Sequence, residues 1–420
     1  METHLTASIR ATPSGREAEA ILRRCVHCGF CTATCPTYQL TGDELDGPRG
    51  RIYLIKQLLE TGTAGATTRT HLDRCLSCRG CESTCPSGVA YGRLLDIGRA
   101  TLAARAPRRG AARLVRLLLR QLLPRRRAFA AALAAGRLLR PLLPARLRAR
   151  VPPRSAAGSW PAPRHARRVL LLEGCVQPAL RPAINAATAR VLDGIGISVL
   201  VAHGRSGAGC CGALRLHLDD EQGARADARR NIDAWWPLLA AGCEAIVITA
   251  SACALQVKDY AALLADDPGY RAKAERIASL ARDVAEVLLG EQAALQACLQ
   301  ARGARRTAAG GSRRRVAFHS PCTLQHGQQI RGAVEPLLQA AGFELTAVAD
   351  PHLCCGSAGT YSLLQPLLAT PLRDARLAAL TAGDPQAIAS ANIGCITHLQ
   401  SGSATPVRHW IELLDAELSV

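Results

Sequence analysis

Eight of the chain's 18 cysteines fall in two runs of one pattern. The first, CVHCGFCTATCP, sets Cys25, Cys28, Cys31 and Cys35 ahead of Pro36; the second, CLSCRGCESTCP, sets Cys75, Cys78, Cys81 and Cys85 ahead of Pro86. Three thiolates with two residues between neighbours can wrap three corners of one iron–sulfur cubane. A fourth, followed by a proline that turns the chain away, reaches a different cubane. Structural zinc uses two cysteine pairs separated by a dozen or more residues, which these runs do not supply.

The spacing C-x2-C-x2-C-x3-C-P is that of bacterial two-cluster ferredoxins. By its rule Cys25, Cys28, Cys31 and Cys85 hold one [4Fe–4S] cluster, and Cys75, Cys78, Cys81 and Cys35 hold a second. The segment TGDELDGPRGRIYLIKQLLE separates the runs. Its glycines and proline mark turns, and Arg51 to Glu60 reads as a helix. Arg49 and Arg51 either favour the extra negative charge of a reduced cluster or are solvated arginines at a helix entry.

The elements that must position further cysteines form an internal repeat. In the first copy the apolar run Val169–Leu172 leads to Cys175, Ile197–Val201 to Cys210 and Cys211, and Ala245–Thr249 to Cys253. In the second, Val316–Phe318 leads to Cys322, Phe343–Val348 to Cys354 and Cys355, and Ala387–Ala391 to Cys395. Matching cysteines are offset by 147, 144 and 142 residues. Short apolar runs alternating with helical stretches are the mark of βαβ crossovers and a parallel sheet. Ligands of such sheets lie beyond the carboxyl ends of the strands, where these cysteines fall. The two units are therefore expected to carry a site each and to face one another.

The whole reads as an α/β multi-domain chain. A helical, bacterial-type two-[4Fe–4S] ferredoxin module (1–100) precedes an Arg-rich helical connector (101–165). Tandem duplicated parallel-sheet cysteine-rich domains follow (166–300 and 313–415), with Arg302 to Arg315 as a solvated loop between them. With 48% hydrophobic residues the chain is not disordered. No secretory signal and no apolar stretch of membrane-spanning length is apparent, so the cysteines are expected in a reducing, cytoplasmic setting. The net charge of +19 is confined: residues 101–168 hold 18 Arg and no acid, and outside them 34 basic residues face 33 acidic ones. The connector's LVRLLLRQLLPRRR admits three readings: packing between modules with arginines snorkelling outward, peripheral contact with the cytoplasmic face of an anionic inner membrane, or nucleic-acid binding. The first is favoured, because charged helix faces are usually just solvated.

Together the two cysteine runs, the intervening GDELDGPRGRIYLIK and the two Cys-Cys-Gly units resemble the family of glycolate oxidase iron–sulfur subunits along nearly the whole chain. The resemblance implies an electron-transfer subunit of a glycolate oxidase or dehydrogenase complex. Flavoprotein partners carrying FAD would oxidise glycolate to glyoxylate, and their electrons would pass through this chain to a quinone or another acceptor. Equivalent subunits serve lactate or glycerol-3-phosphate dehydrogenases and heterodisulfide-reductase-like enzymes. In the last, each such unit binds a further [4Fe–4S] cluster through C-x(31–39)-C-C-G and a closing C-x-x-C pair. Here that pair is incomplete, with Ala250 before Cys253 and Asn392 before Cys395. Four cysteines per unit, Cys175, Cys210, Cys211 and Cys253, then Cys322, Cys354, Cys355 and Cys395, still suffice for one cluster. Filled sites, partly filled sites, another redox group or structural remnants all remain open. Cys243 and Cys298 are expected to be buried core thiols.

Gly207-Ala208-Gly209-Cys210-Cys211-Gly212 matches G-x-G-x-x-G, but a long loop precedes it, which a dinucleotide turn would not have. Oxidising a 2-hydroxy acid removes two electrons and needs a hydride acceptor such as flavin. No flavin signature is present, so the chain is expected to carry electrons and not to act on substrate by itself; no catalytic residue is assigned.

Overall fold

A computed structural model describes residues 1–142, 144, 148, 151–202, 207–303 and 314–418. The amino-terminal module is helical. Helix Pro13–Arg24 starts with Pro at its first position, and the Thr12 hydroxyl accepts from the Gly15 amide at 3.0 Å, satisfying one of the orphan donors of the first turn. Helix Pro48–Thr61 begins the same way and stops at Gly62, whose φ of 69° is left-handed. It crosses helix Tyr91–Arg105 so closely that a Cβ on Gly98 would lie 2.8 Å from Ile55 Cγ1. Leu22, Ile55, Leu58, Leu59, Leu72, Leu94 and Leu95 fill the core between these helices, with Cys25, Cys75 and Cys81 at its edge.

Two four-stranded sheets follow, wound alike. In the first, β1 (Arg167–Leu172), β2 (Ile197–Leu200), β3 (Ile246–Ile248) and β4 (Ala281–Asp283) lie in the order β2-β1-β3-β4, every pairing parallel. In the second, β5 (Arg315–His319), β6 (Glu344–Leu345), β7 (Ala387–Ser390) and β8 (Val407–His409) repeat that order as β6-β5-β7-β8. The buried stretches Val169–Leu172, Ile246–Ile248 and Val316–Phe318 are unbroken apolar runs because helices cover both faces of a parallel sheet. The run expected over Phe343–Val348 pairs only at Glu344–Leu345. Edge strands β4 and β8 have three residues each and were not expected; neither ARD nor VRH carries a period.

The units do face each other. Helix Ala183–Gly194 lies against helix Trp410–Leu418, and Arg190 bridges to Asp415 at 2.6 Å. A single core joins Leu192 and Ile197 of the first unit to Leu337, Trp410 and Leu414 of the second. At the strand ends the Ser251 amide donates to the Ala391 carbonyl at 3.0 Å, and the Ser251 and Thr323 hydroxyls meet at 2.7 Å.

The connector forms helices Gly110–Leu122 and Arg126–Leu138. Its orientation reverses the expected snorkelling. Arg116 is buried, within 3.4 Å of Asp73 and 3.6 Å of Asp219, and Arg108 grips Asp73 at 2.6 and 2.7 Å and Asp219 at 3.1 Å. Leu114, Val115, Leu117 and Leu118 are exposed instead. Two acids from separate modules, Asp73 and Asp219, draw Arg108 and Arg116 inward, and these leucines face out. Residues 143, 145–147 and 149–150 of the connector and 304–313 of the expected inter-unit loop lie outside the described residues, as do 203–206 ahead of the Gly207 motif. Among the described residues no helix is long and apolar enough to cross a membrane.

Candidate metal centres

The two ferredoxin-type runs fold alike. Cys25 caps helix Pro13–Arg24 with its amide on Leu22 O, and Cys75 follows helix Ala66–Asp73 with its amide on Leu72 O. Each loop then places left-handed residues on both sides of its second cysteine: His27 (φ 56°) and Gly29 (85°) around Cys28, Ser77 (52°) and Arg79 (59°) around Cys78. Non-glycine residues adopt this region at a cost of order 1 kcal/mol or more. Left-handed residues of this kind are what a backbone amide nest is built from, and such a nest suits an anionic iron–sulfur group.

The fourth cysteines cross over. Burial pushes the Cys31 thiol up to about 11, and Cys25, Cys28 and Cys85 add to it. Burial also pushes Cys78 and Cys81 well up, and Cys35 contributes to both, beside Cys75. One pocket is lined by Cys25, Cys28, Cys31 and Cys85, and by Cys81 as well; a second is lined by Cys35, Cys75, Cys78 and Cys81. Burial and neighbouring thiols make Cys31, Cys78 and Cys81 resist ionisation, and a cationic iron core removes that penalty. The donor set therefore fits two [4Fe–4S] groups.

The two centres differ in setting. Cys28 is exposed and flanked by Val26 and Phe30, which are 67% and 62% exposed, so the first centre lies at the surface. The second is enclosed: the Tyr91 hydroxyl approaches Cys75 Sγ at 3.5 Å, the Thr37 hydroxyl lies 3.3 Å from Cys35 Sγ, and Cys78 packs with Leu76, Cys322, Cys354 and Tyr361. Of the two arginines, Arg49 is half-exposed on Glu44, whereas Arg51 is buried, donating to the His71 carbonyl at 2.8 Å and the Thr37 hydroxyl at 3.1 Å. Arg51 is thus not a solvated helix-entry residue. Burial opposes the charge on its guanidinium, and the acidic groups around it, Asp46 among them, more than offset that.

In the duplicated units all eight cysteines lie beyond strand ends. Cys175 and Cys210 share a hydrogen bond that pulls Cys210 well below the ordinary thiol range, with Cys211 also donating to it, and Cys211 is linked in turn to Cys253. In the second unit Cys322 and Cys354 sulfurs are 3.9 Å apart, and Cys355 bonds to Cys395. The glycine of each Cys-Cys-Gly is required by its backbone, and Gly356 by its packing as well. Gly212 and Gly356 have φ of 95° and 83°, and a Cβ on Gly356 would lie 2.7 Å from Ala369 O. The Gly209 amide of the G-x-G-x-x-G match is taken by Asn231 Oδ1 at 2.8 Å, which leaves it no phosphate to bind. Where the closing pair is incomplete, Ala250 offers no donor, while the Asn392 side chain hydrogen-bonds to the Cys395 thiol.

Cys243 is buried as expected; Cys298 is only half-buried, against Gly194. Sequence reasoning missed His319, one ring nitrogen of which lies within 4.8 Å of the Cys355 and Cys395 sulfurs, and its neighbour Arg376. Neither belongs to a motif.

Known protein families match the same segments. Residues 21–89 match the 4Fe-4S dicluster domain, and residues 169–258 and 316–400 match the cysteine-rich domain. The chain is 52% identical to the glycolate oxidase iron-sulfur subunit of Escherichia coli (strain K12), covering 100% of this chain and 99% of that one. It is 27% identical to the probable glycolate oxidase iron-sulfur subunit of Bacillus subtilis (strain 168), over 92% and 90% of the two chains. Lactate utilization protein A of Shouchella clausii (strain KSM-K16) is 22% identical over 59% of this chain. With identity above one half running through the dicluster segment and both cysteine-rich units, the chain belongs to the family of glycolate oxidase iron–sulfur subunits.

Proposed function

We propose that this chain is the electron carrier of a complex whose FAD-bearing flavoprotein subunits oxidise glycolate to glyoxylate. It would take their electrons singly and deliver them to a quinone or another acceptor. Bound [4Fe–4S] clusters supply one-electron chemistry, which fits a carrier and not a hydride acceptor. Cys25, Cys28, Cys31 and Cys85 would hold the surface centre, and Cys75, Cys78, Cys81 and Cys35 the enclosed one. The observation that carries this reading is the crossing of the fourth cysteines, which interlocks the two thiol quartets. Val26 and Phe30, exposed beside Cys28, give a partner an apolar approach to the surface centre. Cys78, packed on Cys322 and Cys354, leads inward to the second cysteine-rich unit, whose four thiols would hold a further redox group. Glycolate is preferred to lactate because full-length identity lies with the former.

The test is reconstitution. The holoprotein alone is expected to leave glycolate unoxidised, and addition of the copurifying flavoprotein should give quinone-analogue reduction. Glycolate turnover by this chain alone would contradict the carrier assignment.

The connector carries a second, compatible proposal. Leu114, Val115, Leu117 and Leu118 form an exposed apolar ridge on a helix that also bears Arg113 and Arg120. That composition suits peripheral contact between a cytoplasmic complex and an anionic membrane surface.

A further inference from the structure

The two cysteine-rich units share strand order and thiol placement, so a difference between them at equivalent positions is informative. His319 ends β5 three residues before Cys322; three residues before Cys175, at the end of β1, stands Leu172. Gly212 abuts Ala224 and Gly356 abuts Ala369, which aligns helix Glu221–Ala240 with helix Pro366–Thr381 and sets Arg376 opposite Asn231. One unit thus has Leu and Asn where the other has His and Arg.

Both His319 and Arg376 are buried, at 0% and 3% exposure. Arg376 Nε donates to His319 Nδ1 at 3.2 Å, and Arg376 Nη1 donates to the carbonyls of Ala349 and Asp350 at 3.0 and 2.7 Å. Because Nδ1 accepts, the neutral ring carries its proton on Nε2. His319 Nε2 and Arg376 Nη2 then have no protein acceptor. Two orphaned buried donors are expensive unless something accepts from them. Thiols are among the neighbouring groups: a His319 nitrogen lies within 4.8 Å of the Cys355 and Cys395 sulfurs, and Cys355 and Cys354 act on the Arg376 charge. Asn231, by contrast, spends both ends of its amide on Gly209, the Cys210 carbonyl and Tyr260, so the position in the first unit that matches Arg376 has no such surplus.

We infer that His319 and Arg376 form a hydrogen-bond-donating, cationic wall for an anionic iron–sulfur group held by Cys322, Cys354, Cys355 and Cys395. This wall makes the second unit, and not the first, the electron-accepting neighbour of the enclosed ferredoxin-type centre. The inference rests on the proposal that the second unit's thiols hold a redox group. A donor and a positive charge beside such a group favour its reduced, more negative state. His319 is a positioning residue here. Its imidazole is not a ligand, because its proton-free nitrogen is already taken by Arg376.

The test uses anaerobically purified full-length protein, with iron counted per chain and EPR-monitored redox titration. Loss on Cys395→Ser identifies the second unit's signal. His319→Leu and Arg376→Asn, which install the first unit's residues, should keep the iron and lower that signal's potential, each by about tenfold in the reduction equilibrium, or about 59 mV. His319→Gln, which retains an N–H, should restore most of the shift. Unchanged potentials with iron retained would overturn the wall while leaving the redox group in place. Loss of the group in both His319→Leu and His319→Gln would make His319 a ligand and overturn the donor role. Wild-type iron no higher than two cubanes require would remove the group itself, and the inference with it.

Discussion

The Tyr361 hydroxyl donates to the carbonyl oxygen of Arg74 at 3.0 Å, tying the second cysteine-rich unit to the residue directly ahead of Cys75. With Ser83 Oγ meeting His326 Nδ1 at 2.9 Å and Arg79 bridging to Asp259 at 2.9 Å, the enclosed centre is clamped between the helical module and both sheets. Tyr361→Phe removes one tie and leaves a buried carbonyl short of a donor. The expected cost is about 1 kcal/mol, read as a fall of about 1 °C in the melting temperature of the anaerobic holoprotein. An unchanged melt would show that the tie does not bear on stability.

Crossed ligation has a pairwise signature. Cys85→Ser and Cys28→Ser should remove the same EPR signal of the reduced protein, although they lie in different sequence runs; Cys35→Ser and Cys78→Ser should remove the other. Loss sorted by run, with Cys85→Ser matching Cys78→Ser, would refute the crossing.

His409 ties the units together with a neutral ring. Its Nδ1 accepts from the Ile411 amide at 3.1 Å, which places the proton on Nε2, 2.9 Å from the Thr249 carbonyl. Burial lowers its pKa from 6.5 to about 4, the hydrogen bond to Thr249 opposing. A folded-state value below the unfolded one means that the unfolded chain binds the extra proton first. Stability is therefore fully present above pH 6.5 and is lost as pH falls toward 4, by about 3 kcal/mol at most. Urea unfolding of wild type and His409→Gln should show the wild-type advantage shrinking across that window. A constant difference would contradict the neutral assignment.

The connector's exposed leucines predict salt-sensitive flotation with anionic lipid vesicles, abolished by Leu114→Asp with Leu118→Asp. No enrichment of wild type at low salt would remove membrane contact and leave the ridge as a protein-facing surface. Duplex DNA, tested alongside, should bind negligibly at all salt concentrations.

How much of this was legible in the sequence follows from how local each feature is. The cysteine runs were legible because a cubane's corners fix the spacing of neighbouring thiols, and the duplicated strands because β1 and β5 contain the unbroken apolar runs Val169–Leu172 and Val316–Phe318. Arg116 was read facing the wrong way because its partners, Asp73 and Asp219, lie 43 and 103 residues distant in the chain. Arg51 could not be told from a surface arginine without Asp46, His71 and Thr37 folded around it. His319 and Arg376 carry no motif, and only the winding of the second unit brings them together. Three-residue edge strands give too few positions for any period.

The central claim is that the amino-terminal thiols hold two iron–sulfur cubanes. Iron and acid-labile sulfide on anaerobically purified protein, with EPR after dithionite reduction, tests it directly. About eight irons per chain or more, with two interacting reduced-cluster signals, is the expected result. Protein that is colourless and iron-free, or that holds only zinc at these cysteines, would contradict it.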